Sequence, residues 1–200
     1  RLVKTKQTRD GGRTVLLARN EYNELGQLVD RGLHSADGGA TFLQSVDTRY
    51  NIRGWLTSIN NLELTDDGGA SNDEAGDLFG FELRYNQGLR LGSDAENGRF
   101  DGNIAEALWQ TAGDNVRRGY GYGYDRAGRL KDARYRAHNG TSWTAETDRY
   151  SVTGMGYDAN GNILSLQRNG MTGGHAYDAS VARTWGTVDE LSYRYEGNRL

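Results

Sequence analysis

The sequence predicts an all-β protein built from repeated antiparallel hairpins. Three observations carry this prediction: a short motif recurs along the chain, Gly supplies 29 of the 200 residues, and Pro is absent. Gly provides turns that need a positive φ, whereas Pro would remove a hydrogen-bond donor from a strand ladder. Many tight turns joined by uninterrupted strands fit both facts.

The repeated motif is Tyr, then Asp or Asn, any two residues, Gly, any one residue, and Leu or Ile. Its four complete copies have these residues at the fixed positions: Tyr22, Asn23, Gly26 and Leu28; Tyr50, Asn51, Gly54 and Leu56; Tyr124, Asp125, Gly128 and Leu130; Tyr157, Asp158, Gly161 and Ile163. Two shorter relatives lack two residues before the Gly: Phe100-Asp101-Gly102 and Tyr195-Glu196-Gly197. The leading aromatic residues are 24 to 50 positions apart, a spacing typical of repeat proteins.

Each motif predicts a strand, a tight turn and a second strand. Asn160-Gly161 predicts a two-residue turn with positive φ at both residues, and the other motif glycines should also have positive φ. The Asp or Asn after the Tyr should accept hydrogen bonds from turn amides through its side chain. The motif tyrosines should share one environment, packed on neighbouring hairpins.

The rest of the chain is consistent with more strands. Residues 1–19 predict a hairpin around Asp10-Gly11-Gly12, and residues 36–40 predict a further turn. Strands are predicted at 78–85, where apolar and polar residues alternate, at 104–110, and at 118–124, where Tyr alternates with Gly. Residues 136–149 and 169–189 are predicted to be longer connections, whose Trp143 and Trp185 fold back over a sheet face.

Residues 65–77 form a polar, acidic stretch. A solvated loop between strands is the favoured interpretation. A calcium site is the alternative, but the acidic residues do not follow the alternating spacing of a calcium loop.

The residue types that carry chemistry are few or scattered. The chain has no Cys, and its three histidines, His34, His138 and His175, lack the spacing of a metal site. No Gly-x-Ser-x-Gly nucleophile elbow is present. The sequence therefore predicts a non-enzyme without a cofactor. Asn139-Gly140-Thr141 matches a glycosylation sequon, a pattern that is common by chance.

Charge and hydropathy limit the partners. A net charge of −3 and a pI near 5.7 provide no basic field for nucleic acid. No apolar run approaches the 18 residues of a membrane-spanning helix. A glycan is the alternative partner, because Tyr and Trp rings can stack on sugars as well as pack.

The motif resembles the YD repeat of bacterial RHS-repeat proteins, to which the teneurin and insecticidal toxin-complex shells are related. Residues 15–30, 50–56 and 161–170 are especially similar to that family, and the resemblance covers nearly the whole chain. It implies one run of repeats over residues 1–200, a fragment of a longer protein, with hairpins in an open sheet that spirals into a hollow shell. No residue matches the Asp-Pro segment that ends such cores in toxins, because the chain has no Pro.

The resemblance also implies a function. Such shells enclose a C-terminal effector in toxins or serve adhesion in teneurins, so the expected partner is the remainder of the same polypeptide. Secretion or a cell-surface location is expected on the same ground. A carbohydrate-binding or adhesive surface module is the alternative.

Overall fold

The computed structural model describes residues 1–8, 11–65, 76–88, 91, 98–174 and 180–197. Within these residues there is no helix, and the paired strands are antiparallel, so the predicted all-β antiparallel fold is confirmed. The strands, in chain order, are β1 (Lys4–Gln7), β2 (Val15–Tyr22), β3 (Leu28–Ser35), β4 (Thr48–Tyr50), β5 (Leu56–Ile59), β6 (Phe79–Arg84), β7 (Glu106–Thr111), β8 (Arg118–Tyr124), β9 (Leu130–Ala137), β10 (Val152–Tyr157), β11 (Ile163–Gly173) and β12 (Thr184–Ser192).

The chain divides into two compact units. Unit 1 comprises Arg1–Leu83 and Trp109–Asn115, and unit 2 comprises Arg84–Leu108 and Val116–Leu200. Strand order follows the sequence in both: β1-β2-β3 and β4-β5-β6-β7 in unit 1, and β7 through β12 in unit 2. Strands β6 and β7 contribute residues to each unit.

Unit 1 has a largely polar interior. Leu16 is the one buried apolar side chain among its described residues. The buried polar residues of unit 1 make hydrogen bonds to one another: the Ser45 hydroxyl donates to the Asp30 carboxylate at 2.6 Å, and the Asp47 backbone amide donates to the Asn60 side chain at 2.8 Å. Buried polar groups of this kind need such partners, because an unpaired one loses the hydrogen bonds it made to water.

Among the described residues, unit 2 buries more apolar side chains than unit 1, together with the polar Glu106, Asp132 and Ser151. Tyr135 and Leu108 are almost completely buried. Strand β8 turns its tyrosines to one face and its glycines to the other, as predicted. A Cβ on Gly119 would lie only 2.5 Å from Leu108 Cδ2. The absence of a side chain at Gly119 is therefore what allows Leu108 to approach this strand.

Several predicted elements are confirmed. The first hairpin pairs β1 with β2, although Asp10 lies outside the described residues. The strands expected near 78–85 and 104–110 are β6 and β7. The acidic stretch, with its calcium alternative, lies largely outside the described residues, which resume at Gly76. His175 also lies outside them.

The predicted connection at 169–189 is wrong in part. Strand β11 continues to Gly173 and β12 begins at Thr184, so Trp185 lies within a strand, opposite Met171. Gly and polar residues made this region resemble a loop. The long ladder between β11 and β12 satisfies their backbone groups and holds them extended.

The predicted type of turn at Asn160-Gly161 is also wrong. Gly161 has a positive φ of 88°, but Asn160 does not belong to the residues with positive φ. The Gly161 amide donates to the Asp158 carbonyl at 3.2 Å, and the Asp158 amide donates to the Asn162 carbonyl at 3.0 Å. This pattern defines a three-residue loop, a type I turn followed by a left-handed Gly.

Candidate functional site: repeat turns and an aromatic row

The four complete motifs form the same turn. In the fourth, the Asp158 side chain accepts hydrogen bonds from the Asn160 amide at 2.9 Å and the Asn162 amide at 2.8 Å. The equivalent residues that accept amide bonds through their side chains are Asn23, Asn51 and Asp125. The predicted role of this position is therefore confirmed.

The four motifs also share the backbone conformation of the Gly and the pairing of the strands that flank the turn. The φ angles of Gly26, Gly54, Gly128 and Gly161 are 84°, 79°, 78° and 88°, which confirms the prediction of positive φ. The motif Tyr pairs with the motif Leu or Ile across the hairpin, next to a shift in register, in all four: Tyr22 with Leu28, Tyr50 with Leu56, Tyr124 with Leu130, and Tyr157 with Ile163. Such a shift in register is a β-bulge. Its first residue must adopt the left-handed region, which Gly does without strain.

The motif tyrosines are half-buried, and two of them bind the preceding motif. The Tyr157 hydroxyl donates to the Leu130 carbonyl at 2.6 Å, and the Tyr124 hydroxyl donates to the Ile104 carbonyl at 2.7 Å. Leu130 is the last motif residue of the third copy, and Ile104 follows Gly102 in the shorter one. In unit 1 the Leu28 carbonyl accepts from Thr48 instead.

The residue between the motif Gly and Leu contacts the next turn. Arg129 donates to the Asp158 carbonyl at 3.0 Å, and its guanidinium carbon lies 4.6 Å from the centre of the Tyr157 ring. Asn103 donates to the Gly128 carbonyl at 3.4 Å. In unit 1, Gln27 Nε2 would lie 3.3 Å from a Cβ on Gly54. We call these the turn-to-turn contacts; they place successive turns side by side.

The two shorter relatives differ from the complete motifs. Gly102 and Gly197 have positive φ, 97° and 65°. Asp101 accepts a hydrogen bond from the Asn103 amide at 3.1 Å. Phe100, however, is 71% exposed, so it does not pack as the motif tyrosines do. Tyr195 is half-buried.

A second feature lies in unit 2 and was not predicted. Four aromatic rings, Tyr120, Tyr135, Tyr150 and Trp185, contact one another edge to face, with centres 5.5, 5.0 and 5.0 Å apart in that order. We call them the aromatic row. The sequence predicts a strand at Tyr120 and a packing role for Trp185, but 65 positions separate the two residues. No local pattern connects such distant residues, so only the fold assembles the row.

The connection at residues 138–151 binds the row through the carboxylate of Glu146, and the carboxylate of Asp148 binds the adjoining strand β9. The Tyr135 hydroxyl donates to Glu146 at 2.7 Å, and Arg149 donates to the same carboxylate at 3.0 Å. Asp148 accepts from Arg136 at 2.7 Å. Glu146 and Asp148 both have positive φ, 52° and 58°, which is uncommon outside Gly and marks a conformation that the surrounding contacts impose.

The electrostatics of this connection follow from its contacts. Burial and the Glu146 hydrogen bond raise the pKa of Tyr135 well above its usual range, so the hydroxyl stays a donor. Partial burial acts to raise the pKa of Asp148, but hydrogen bonds from Arg136 and Ser151 outweigh it and lower that pKa. The carboxylates of the connection are therefore paired with arginines, Glu146 with Arg149 of the connection and Asp148 with Arg136 of strand β9.

Neither a candidate metal-binding cluster nor a candidate membrane-spanning helix is present among the described residues. No cluster of three or more His, Asp or Glu side chains there could hold a metal ion. No helix there has the length and hydropathy that crossing a membrane requires.

His138 and Trp143 lie together in the connection at residues 138–151, with ring centres 5.3 Å apart.

No protein-family model matches the chain, and no curated protein matches it.

Proposed function

We propose that the chain is a non-enzymatic structural segment of an RHS-type shell, whose stacked hairpins form a wall that encloses an effector or presents a surface. One observation carries the proposal: each of two motifs in unit 2 binds the preceding one through its Tyr hydroxyl. The motif is therefore both a hairpin turn and a connection between hairpins.

The turn-to-turn contacts support the same role. Arg129 uses its guanidinium on both the carbonyl and the ring of the next motif, so one side chain spans two turns. Repeats that contact only their neighbours stack in series, and each added unit buries the face of the one before it. A wall can be lengthened in this way without changing the motif.

The proposed partner is the remainder of the same polypeptide, and the proposed location is secreted or at the cell surface. Both follow from the resemblance to RHS-repeat proteins. The motif specifies how hairpins stack; it does not specify what the wall encloses.

Electron cryomicroscopy of the polypeptide as its gene encodes it tests this proposal. The expected map shows these repeats in the wall of a hollow shell, with the motif turns side by side along one rim. A solid rod, or repeats that extend as an arm away from any enclosed volume, would contradict the shell.

The aromatic row favours one second function, glycan binding. Tyr150 is 43% exposed in the middle of the row, and Arg149 lies over Trp185 with 4.7 Å between its guanidinium carbon and the ring centre. Exposed rings beside hydrogen-bonding side chains are the elements that a sugar surface requires.

A glycan array with the intact chain tests this second function. Binding that is lost in Tyr150→Ala and kept in Phe100→Ala would support it, because Phe100 is an exposed ring outside the row. Binding that both variants keep, or no binding by the unmodified chain, would exclude the row as a glycan site.

A further inference from the structure

The Asn139-Gly140 pair in the connection at residues 138–151 takes part in neither the turn-to-turn contacts nor the aromatic row. Its surroundings are nevertheless well defined. The Gly140 amide donates to Nδ1 of His138 at 3.2 Å. The Asn139 Oδ1 accepts hydrogen bonds from the amides of Thr141 at 2.9 Å and Ser142 at 2.8 Å. These contacts surround one peptide bond.

Each contact corresponds to a requirement of one reaction, closure of an Asn side chain onto the next backbone nitrogen. The nucleophile is the Gly140 nitrogen, and the imidazole at His138 accepts its proton, as a general base must. The two amides on Oδ1 are donors to the oxygen that becomes negative when the carbonyl carbon is attacked, which is the arrangement of an oxyanion hole. The absence of a side chain on Gly140 leaves the nitrogen accessible.

The hydrogen bond from the Thr141 amide also orients the side chain. It closes a ring of atoms that contains the Gly140 nitrogen, so the Asn139 carbonyl is held beside the peptide that attacks it. Asn139, Gly140 and Thr141 are exposed, so water reaches the product.

We propose that Asn139 is a self-modification site, at which the folded chain converts this asparagine to a succinimide and then to aspartate or isoaspartate. The Gly140 nitrogen forms a bond to Cγ of Asn139 and gives its proton to His138. The bond from Cγ to Nδ2 then breaks, the proton from His138 passes to Nδ2, and ammonia leaves. Water afterwards opens the ring at one of its two carbonyls, and no oxidant or metal is needed.

Two other Asn-Gly pairs among the described residues provide comparisons. At Asn160-Gly161, the Gly amide donates to the Asp158 carbonyl at 3.2 Å, and the titratable group beside it is the Asp158 carboxylate, whose lowered pKa makes it a weaker base than an imidazole. At Asn169-Gly170, both residues pair with β12 and the Asn169 side chain donates to the Asp148 carbonyl at 3.0 Å. The ladder prevents the rotation that ring closure needs. Of these three described pairs, only Asn139-Gly140 combines exposure, an imidazole base and two amide donors on its side-chain oxygen.

The modification would alter the connection that holds the aromatic row. Isoaspartate inserts one carbon into the main chain, seven residues before the Glu146 carboxylate that accepts the Tyr135 hydrogen bond. The position of Glu146 depends on a left-handed φ that its surroundings impose, so a longer main chain should weaken that contact.

The experiment measures conversion of the asparagine in each of the three Asn-Gly pairs in one sample. The folded chain is held at neutral pH in water enriched in heavy oxygen, then digested, and mass spectrometry measures heavy-oxygen incorporation at each asparagine. We expect Asn139 to convert at least about tenfold faster than Asn160, a modest part of what a positioned base contributes. Asn169 should be slowest.

His138→Gln provides the matched variant, and the Asn160 rate in the same sample serves as its internal reference for a folded chain. The expected result is that the Asn139 rate falls to the Asn160 rate while the Asn160 rate does not change. Conversion at Asn139 no faster than at Asn160, or a rate that His138→Gln leaves unchanged, would overturn the proposal.

Discussion

The two units of the chain bury different side chains behind the same turn. Unit 1 buries polar residues such as Asn20, Asp30 and Asp47, with Leu16 as the one buried apolar side chain among its described residues. Unit 2 also buries polar residues, such as Asp132, but adds the large side chains of Leu108 and Tyr135. The motif turn nevertheless has the same two backbone hydrogen bonds in both. The turn is therefore specified by its own residues, and the strands that follow it can cover either kind of interior.

The turns differ between the units in one respect, their charge. The residue that accepts the turn amides is Asn in unit 1, at positions 23 and 51, and Asp in unit 2, at positions 125 and 158. Both side chains have the required oxygen. Only the carboxylates change their strength as acceptors with pH.

The largest expected effect is that of Tyr135→Ala, which should destabilise unit 2 by about 3–5 kcal/mol because it empties a buried aromatic site. Leu16→Ala should cost unit 1 less, about 2–3 kcal/mol, because a smaller side chain is removed than at Tyr135. Native-state hydrogen exchange with peptide resolution measures both. Equal losses in the two units would contradict the contrast between their interiors.

The next effect concerns the motif tyrosine. Tyr157→Ala should cost about 2–3 kcal/mol, since it removes a half-buried ring together with the bond to Leu130. Tyr157→Phe should cost about 1 kcal/mol, the contribution of the hydrogen bond alone. Urea unfolding measures both, with the exposed Phe100→Ala as a control expected to change stability by less than about 0.5 kcal/mol. If Tyr157→Ala behaves like the control, the tyrosine does not fasten the hairpins.

The motif glycine tests backbone conformation separately from packing. Gly161→Val should cost more than about 1 kcal/mol, because a β-branched residue is strained at positive φ, and no atom lies within 4 Å of the added Cβ. Gly113 is also in open space but lacks a positive φ. Gly113→Ala should therefore leave the unfolding midpoint nearly unchanged, and an equal loss at both positions would argue against strain as the cause.

Acid should weaken the Asp turns and spare the Asn turns. The Arg129 amide lowers the pKa of Asp125, and the Asn162 side chain lowers the pKa of Asp158. Carboxylates with a lowered folded pKa contribute stability above the unfolded pKa of about 3.9 and lose it as the pH falls through the folded value. Unfolding measured between about pH 5 and pH 2 should therefore show a shallower acid loss in the double variant Asp125→Asn, Asp158→Asn.

A control is needed because unit 1 has an acid-sensitive carboxylate of its own. Hydrogen bonds from Ser35 and Thr41 hold the pKa of Asp37 far below its usual range. Asn23→Asp should add acid sensitivity at a turn that now lacks it, with Asp37 unchanged. An acid loss that none of these turn variants alters would assign the whole effect to other carboxylates.

The sequence predicted what local chemistry determines. The left-handed Gly161 and the amide-accepting Asp158 are consequences of a few adjacent residues. Asn160 was predicted to have positive φ because Asn-Gly favours a two-residue turn, but the Asp158 side chain bonds the Asn160 amide and stabilises the three-residue loop. The type of turn was therefore decided by a residue two positions earlier.

Long-range features could not be read in the same way. The row from Tyr120 to Trp185 depends on strand pairing across the five strands β8 to β12. The left-handed Glu146 accepts hydrogen bonds from Tyr135 and Arg149. Trp185 was placed in a loop because Gly170 and Gly173 weaken a strand pattern, whereas the paired ladder holds that region extended. Contacts made by folding leave no periodic signal in the sequence.

The central claim, that motifs of unit 2 bind the preceding motif, is tested most directly by a double-mutant cycle between Arg129 and Tyr157. The cycle combines Arg129→Gln with Tyr157→Leu and measures the free energy of unfolding of both single variants and the double variant. The control cycle pairs Arg99→Gln with Tyr157→Leu, because Arg99 lies over the ring of Tyr124 instead. A coupling of about 0.5–1 kcal/mol for Arg129 with Tyr157, and none for the control pair, is the predicted result. Additive effects in both cycles would contradict the claim.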